Sequence, residues 1–209
     1  MNLREGVPAD APLLLLARHA ESQFNAEKRF CGRSEVPLSV LGRAQARALA
    51  DRLGGRVDAV FSSRQLRAIE TARAVAEPEL LEGIEELDQG ELEGLTFSEA
   101  FARYPDFFAE WKRDPESVRK PLGESLVELR ERVDAALRAL ARAPDGGRTI
   151  LIVGHQLAWA SMLAQVRAVE ASAWNRHTLP NARFARLWWG PRGWSSDPGP
   201  QPFDVDGLP

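Results

Sequence analysis

The chain has 209 residues, 44% hydrophobic and 27% charged, enough for one soluble domain with a substantial core. Its formal net charge of -3, from 27 Lys+Arg against 30 Asp+Glu, lacks the basic signature of a nucleic-acid binder. One cysteine, Cys31, excludes an internal disulfide, and the apolar run near the N-terminus is too short for a membrane span or a signal segment, so the expectation is a cytoplasmic protein without a membrane partner.

Residues 1–12 read as a flexible lead-in. Leu13 to Ala17 is a continuous apolar run, the pattern of a strand covered on both faces. Ala20 to Pro37 is polar and reads as loop. Ser39 suits the N-cap of a helix running to about Leu53, where Gly54-Gly55 stop it. Val57 to Phe61 is a second short strand, ending in Ser62-Ser63, and Leu66 to Ala76 a helix. Glu85 to Gly94 has no clean period. Phe97 to Tyr104 and Asp106 to Arg113 read as short helices parted by Pro105, followed by a loop from Asp114 to Gly123.

Leu126, Leu129, Val133, Ala136, Leu137 and Leu140 recur at helical spacing and mark a helix from Ser125 to Arg142. Thr149 to Val153 is a third buried strand, ending in Gly154-His155, with a helix from Gln156 to Val166 after it. Phe184 to Trp189 reads as a late edge strand, and 190–209 as an irregular Pro/Gly-rich tail. Strands alternating with helices predict an α/β fold with a mostly parallel sheet. The expected organisation is a single domain over 13–189, with a cap-like insertion at about 95–123.

Three strands thus end at Arg18-His19, Ser62-Ser63 and Gly154-His155. If they lie side by side and parallel, both histidines stand at the carboxyl edge, where open α/β sheets bind ligands. Arg18 and His19 together offer an anion a positive fork and a nucleophilic imidazole. Two arginines beside an imidazole depress its pKa and keep it neutral, as a nucleophile requires. Asn25 lies at a loop position suited to an oxygen ligand. Four arginines fall between Arg56 and Arg73; Arg67 is favoured because it lies in a first helical turn, where backbone N–H groups also attract anions.

These residues carry a resemblance. Arg18-His19-Ala20-Glu21-Ser22, with Asn25 three residues on, resembles the Arg-His-Gly-Glu-(Ser/Thr)-x-x-Asn signature of the histidine phosphatase superfamily, the phosphoglycerate mutase-like proteins. The likeness continues through Gly32 to Gly42, Ser62-Ser63 to Thr71-Ala72, Glu86 to Gly94, Gly123-Glu124-Ser125 and Val153-Gly154-His155, in the family's order. It implies a three-layer α/β/α sandwich. It also implies that His19 becomes a phosphohistidine, and that Arg18, Arg67 and His155 clamp the phosphoryl oxygens with Asn25 as a further ligand. Glu86 would donate the proton to the leaving alcohol, while Cys31 and Gly32 stand at the substrate mouth. Ala20 replaces the usual glycine, and Cys31 stands where relatives often have Thr or Gln. Glu85 adjoins Glu86, but the spacing to Gly90 favours Glu86.

The expected activity is a metal-independent, cofactor-free phosphomonoesterase acting on a small phosphorylated metabolite, as a monomer or homodimer. The alternative is a cofactor-dependent phosphoglycerate mutase. Those mutases resemble one another in Glu-Arg-x-Tyr-Gly after the acid; here the stretch is Glu86-Leu87-Asp88-Gln89-Gly90, without the Arg and Tyr. A metal hydrolase is disfavoured because the three histidines offer no His-x-x-x-His spacing. A non-catalytic anion binder is disfavoured by the complete set of site residues. Lys112, Arg113, Arg119 and Lys120 read as solvated, though one could reach a second anionic group. Trp111 is the best candidate to touch an apolar substrate group, and His177 reads as structural.

Overall fold

The computed structural model describes residues 2–142, 147–169 and 171–198. In chain order the elements are β1 (Leu13–Arg18), α1 (Gln23–Ala26), α2 (Val40–Leu53), β2 (Ala59–Ser62), α3 (Leu66–Arg73), β3 (Glu79–Leu80), α4 (Phe97–Arg103), α5 (Pro105–Arg113), α6 (Leu126–Ala141), β4 (Thr149–Gly154), α7 (Gln156–Val166), β5 (Phe184–Gly190) and β6 (Gly193–Ser196). Short 3₁₀ turns occupy Gly90–Leu92 and Ala171–His177.

The strands form one sheet in the order β3-β2-β4-β1-β5-β6. β3, β2, β4 and β1 run parallel; β5 is antiparallel to β1, and β6 to β5. β5 is therefore not the edge strand its sequence suggests, because Gly193–Ser196 adds a strand outside it. That segment belonged to the expected irregular tail; the remainder of the tail, 199–209, lies outside the described residues.

Strand alternation builds two cores. Leu14, Leu16, Ile150 and Ile152 pack one face against α6 and α7. Leu13, Leu15, Ala17, Leu151 and Val153 pack the other against α2 and α3. The helices are well closed. Ser39 accepts from the Gly42 N–H, Thr96 and Ser125 form capping boxes with Glu99 and Glu128, and Pro105 opens α5 rather than parting two helices. Residues 2–12 are anchored rather than loose. Arg4 donates to the carbonyls of Pro8, Ala11 and Arg148, and Arg186 to those of Leu3 and Glu5.

Register sets the site. Arg18 pairs with Gly154 in β1–β4, and Ser62 with Val153 in β2–β4, so the strand ends are level. The His19 N–H bonds the Gly154 carbonyl at 2.9 Å, holding the two histidine-bearing loops together. Gly154 is required here: a Cβ would lie 2.3 Å from the Trp159 ring, whose Nε1 donates to the Ala17 carbonyl at 2.7 Å. Among the described residues no helix is long and apolar enough to cross a membrane.

Candidate active site

His19 follows β1 directly and is 4% exposed. Its Nδ1 lies 2.7 Å from the Ala20 carbonyl and donates to it, so the lone pair is on Nε2. Arg67 Nε points at that Nε2 from 3.3 Å. Burial, first, and then Arg67 and Arg18 hold the imidazole well below its ordinary pKa, so it is neutral at physiological pH. The arginines expected to neutralise it are present, but desolvation is the larger cause.

Arg67 is fully buried in the first turn of α3. Besides His19 it donates to the carbonyls of Ser34 (3.0 Å) and Gly32 (2.9 Å) and to Nδ1 of His155 (3.2 Å). The His155 Nε2 lies 2.6 Å from Ser63 Oγ, at the end of β2. His155 is likewise neutral, through burial first and then Arg67. The two imidazoles stand 5.2 Å apart, centre to centre.

A cavity of about 320 Å³ opens beside this unit, lined by Arg18, His19, Asn25, Cys31 and Glu86 and by aromatic side chains. Arg18 donates through Nη1 to the Leu179 carbonyl, and its buried Nε has no hydrogen-bond partner among the described residues. Burial lowers its pKa to about 10, with Glu86 opposing the shift. Asn25 Oδ1 already accepts from the Ser22 N–H and from Asn181, so the donor it can offer a ligand is its amide nitrogen. The Glu86 carboxylate accepts from the Leu157 N–H in the first turn of α7 and from the Leu87 N–H. Glu85 turns elsewhere: it accepts from the Gly83 N–H and lies 3.7 Å from Arg132. Of the two adjacent acids, Glu86 is the one in the cavity.

Arg18, His19, Asn25, Cys31 and Glu86 thus line the cavity, while Arg67 and His155 lie behind His19. Gly32 does not line it; its carbonyl anchors Arg67. Cys31 does, with a thiol pushed up to about 11, chiefly by burial, so it is wall rather than nucleophile. Ala20 takes no left-handed backbone angle, so its methyl group is tolerated. His177 bonds Arg167 at 2.9 Å. Among the described residues no three of His, Cys, Asp and Glu are grouped so as to hold a metal ion.

One expectation is overturned. Lys120, read as solvated, is 3% exposed and lines the cavity. The reading does describe its neighbours: Lys112 is exposed, Arg113 pairs with Glu110 and Arg119 with Glu128. Trp111 lines the cavity as expected, together with Phe30, Phe97, Phe101 and Phe108, none of which the sequence singled out. Gln89 was missed too; it is buried, lines the cavity, and its Oε1 has no partner among the described residues.

The model of the family described as the histidine phosphatase superfamily (branch 1) matches residues 14–197. The chain belongs to that superfamily. Among histidine phosphatase relatives it is 32% identical over 178 residues to phosphoserine phosphatase 1 of Hydrogenobacter thermophilus, covering 82% of this chain and 84% of that protein. It is 33% identical over 195 residues to a probable phosphoglycerate mutase of Enterobacter sp., covering 86% of each. The solved structure of a mycobacterial glucosyl-3-phosphoglycerate phosphatase has a TM-score of 0.77 at 26% identity, covering 90% of this chain and 97% of that one. The superfamily match runs through β6, so Gly193–Ser196 is part of the domain rather than of a tail.

Proposed function

We propose that this histidine phosphatase superfamily member hydrolyses phosphomonoesters of small metabolites through a phosphohistidine at His19, without a metal or cofactor. The observation that carries the reading is the state of His19. It is buried and neutral, its Nδ1–H is committed to a carbonyl, and its Nε2 is fixed between Arg67 and a cavity where Arg18 has a donor to spare.

In this reading Arg18 and Asn25 meet the phosphoryl oxygens from the cavity side, while Arg67 and His155, behind His19, reach them by exchanging their present bonds to His19 and to each other. These donors neutralise the charge on the transferring group. The Nε2 lone pair forms the N–P bond as the P–O bond to the alcohol breaks. The positive charge gained by the ring is shared through Nδ1–H with the Ala20 carbonyl. Glu86 gives its proton to the leaving oxygen, an aid worth roughly a hundred- to ten-thousandfold. In the second step Glu86 takes a proton from water, the water oxygen bonds phosphorus, and the N–P bond breaks. Inorganic phosphate leaves, with His19 neutral and the proton returned to Glu86.

The test is a panel of phosphomonoesters on purified protein in the presence of chelator, with rapid-quench trapping of the phosphoenzyme. Turnover in chelator and an acid-labile phosphoryl group on His19 are expected, and His19→Ala should lose at least about a thousandfold of kcat. Activity lost in chelator and restored by metal would overturn the reading. Interconversion of phosphoglycerates faster than their hydrolysis would make the protein a mutase instead.

A further inference from the structure

Lys120 is an anomaly in this cavity. Its ammonium stands 3.7 Å from the centre of the Trp111 ring, 5.0 Å from Phe107, 5.6 Å from Phe30 and 6.0 Å from Phe108. An aromatic cage attracts a cation but supplies no hydrogen-bond acceptor. A buried ammonium has three donors to satisfy, and an anion entering the cavity would satisfy them.

A further polar group lines the same cavity. Gln89 Oε1 is a buried acceptor without a partner among the described residues. Gln89 and Lys120 sit on two loops stitched together by the Glu91 N–H to the Pro121 carbonyl (2.9 Å) and the Glu124 N–H to the Asp88 carbonyl (3.1 Å). Gly90, at φ +54°, permits the contact: a Cβ there would lie 2.1 Å from the Pro121 carbonyl oxygen.

We propose that Lys120 is a specificity-determining residue, selecting phosphomonoesters whose alcohol part carries a carboxylate, with Gln89 accepting from a hydroxyl or ammonium beside that carboxylate. This rests on the phosphatase reading above and names its substrate class: phosphorylated hydroxy acids. The aromatic walls lower the local dielectric around Lys120, so a bound carboxylate gains a strengthened charge-assisted hydrogen bond.

The electrostatics of the site support the assignment. Burial lowers Lys120 to about 7, with Glu86 opposing the shift. Charge on the ammonium is then retained below about pH 7 and lost above it, unless an anion restores it. The other charged or titratable groups lining the cavity are Arg18, His19, Arg29, Cys31 and Glu86; α5 turns only Phe108 and Trp111 to it.

Glycerol 3-phosphate and 3-phosphoglycerate differ by one carboxylate, so the ratio of their kcat/KM values reads the selection and cancels general losses of activity. The wild-type enzyme should favour the carboxylate about ten- to a hundredfold at pH 6.5, and less as pH rises past about 8. Lys120→Met should bring the ratio close to one. Lys120→Arg, which keeps its charge at alkaline pH, should retain the preference without the alkaline loss. Calorimetric binding of the same two esters to His19→Ala with and without Lys120→Met reads the same difference without turnover. Hydrolysis of both esters with no Lys120-dependent preference overturns the proposal and spares the phosphatase. Lys120-dependent binding without hydrolysis overturns the phosphatase and spares the selection. A preference unchanged in Lys120→Met overturns the proposal in either assay.

Discussion

At the scale of single residues the site turns on Arg67. One guanidinium holds two imidazoles and two backbone carbonyls, and it does so fully buried. A lysine keeps the charge but has one nitrogen on a flexible stem, and cannot meet four acceptors in one plane. Arg67→Lys should therefore lower kcat/KM for phosphomonoesters about a hundred- to a thousandfold and destabilise the fold by about 2–4 kcal/mol. Steady-state kinetics and urea unfolding read both, and a variant within threefold of wild type in kcat/KM would refute this view of Arg67. The residues around it differ in how far they were legible from sequence. Arg18, His19 and His155 were readable because strand ends fix their place, while Glu86, in a stretch with no clean period, was reached only through the family resemblance and its spacing to Gly90. Lys120 was not, because nothing in Arg119-Lys120-Pro121 distinguishes a caged lysine from a solvated one; only packing by Trp111 and Phe107, nine and thirteen residues earlier, does so.

At the scale of elements, the apolar runs of β1 and β4 and the capped helices α2 and α6 announced themselves, because burial on both faces or at helical spacing leaves a periodic trace. β6 and the 3₁₀ turn at Gly90–Leu92 left none, since Gly193-Trp194-Ser195-Ser196 is held by pairing with β5 rather than by its own composition. The loop at 32–34 is a further case. Its backbone N–H groups at Gly32, Arg33 and Ser34 all donate to the Glu93 carboxylate, at 2.9 to 3.2 Å. The carbonyls of Gly32 and Ser34 in turn hold Arg67, so Glu93 is a positioning residue acting through that loop. Glu93→Ala should reduce kcat about ten- to a hundredfold with a smaller change in KM. Glu93→Gln, which keeps one acceptor oxygen, should recover part of the loss. Equal losses in the two variants, or a purely thermal defect with normal kcat at low temperature, would remove Glu93 from the chain of support.

At the scale of the whole molecule, burying neutral histidines couples the fold to pH. In the unfolded chain His19 and His155 protonate near 6.5; in the folded protein both stay neutral well below that. Below about 6.5 the unfolded state therefore binds more protons, and stability falls as pH falls, by up to about 1.4 kcal/mol per pH unit for each histidine. Above 6.5 both states hold these residues neutral, and neither contributes a slope. His177, lowered by burial and by Arg167, acts in the same direction. The depressed carboxylates of Glu99 and Glu128 lose their stabilising effect only below the ordinary 4.5, so the window from about pH 6.5 to 5 belongs chiefly to the histidines, with Lys120, lowered to about 7, adding a slope of the same sign at its upper end. Urea unfolding across that window should show the midpoint declining steadily with acidification at an unchanged m-value. Replacing both His19 and His155 by asparagine should flatten most of the decline, leaving the share of His177. A midpoint that is level or rises between pH 7 and 5 in the wild-type protein would mean that these imidazoles accept protons in the folded state. That would remove the neutral nucleophile on which the phosphohistidine reading depends.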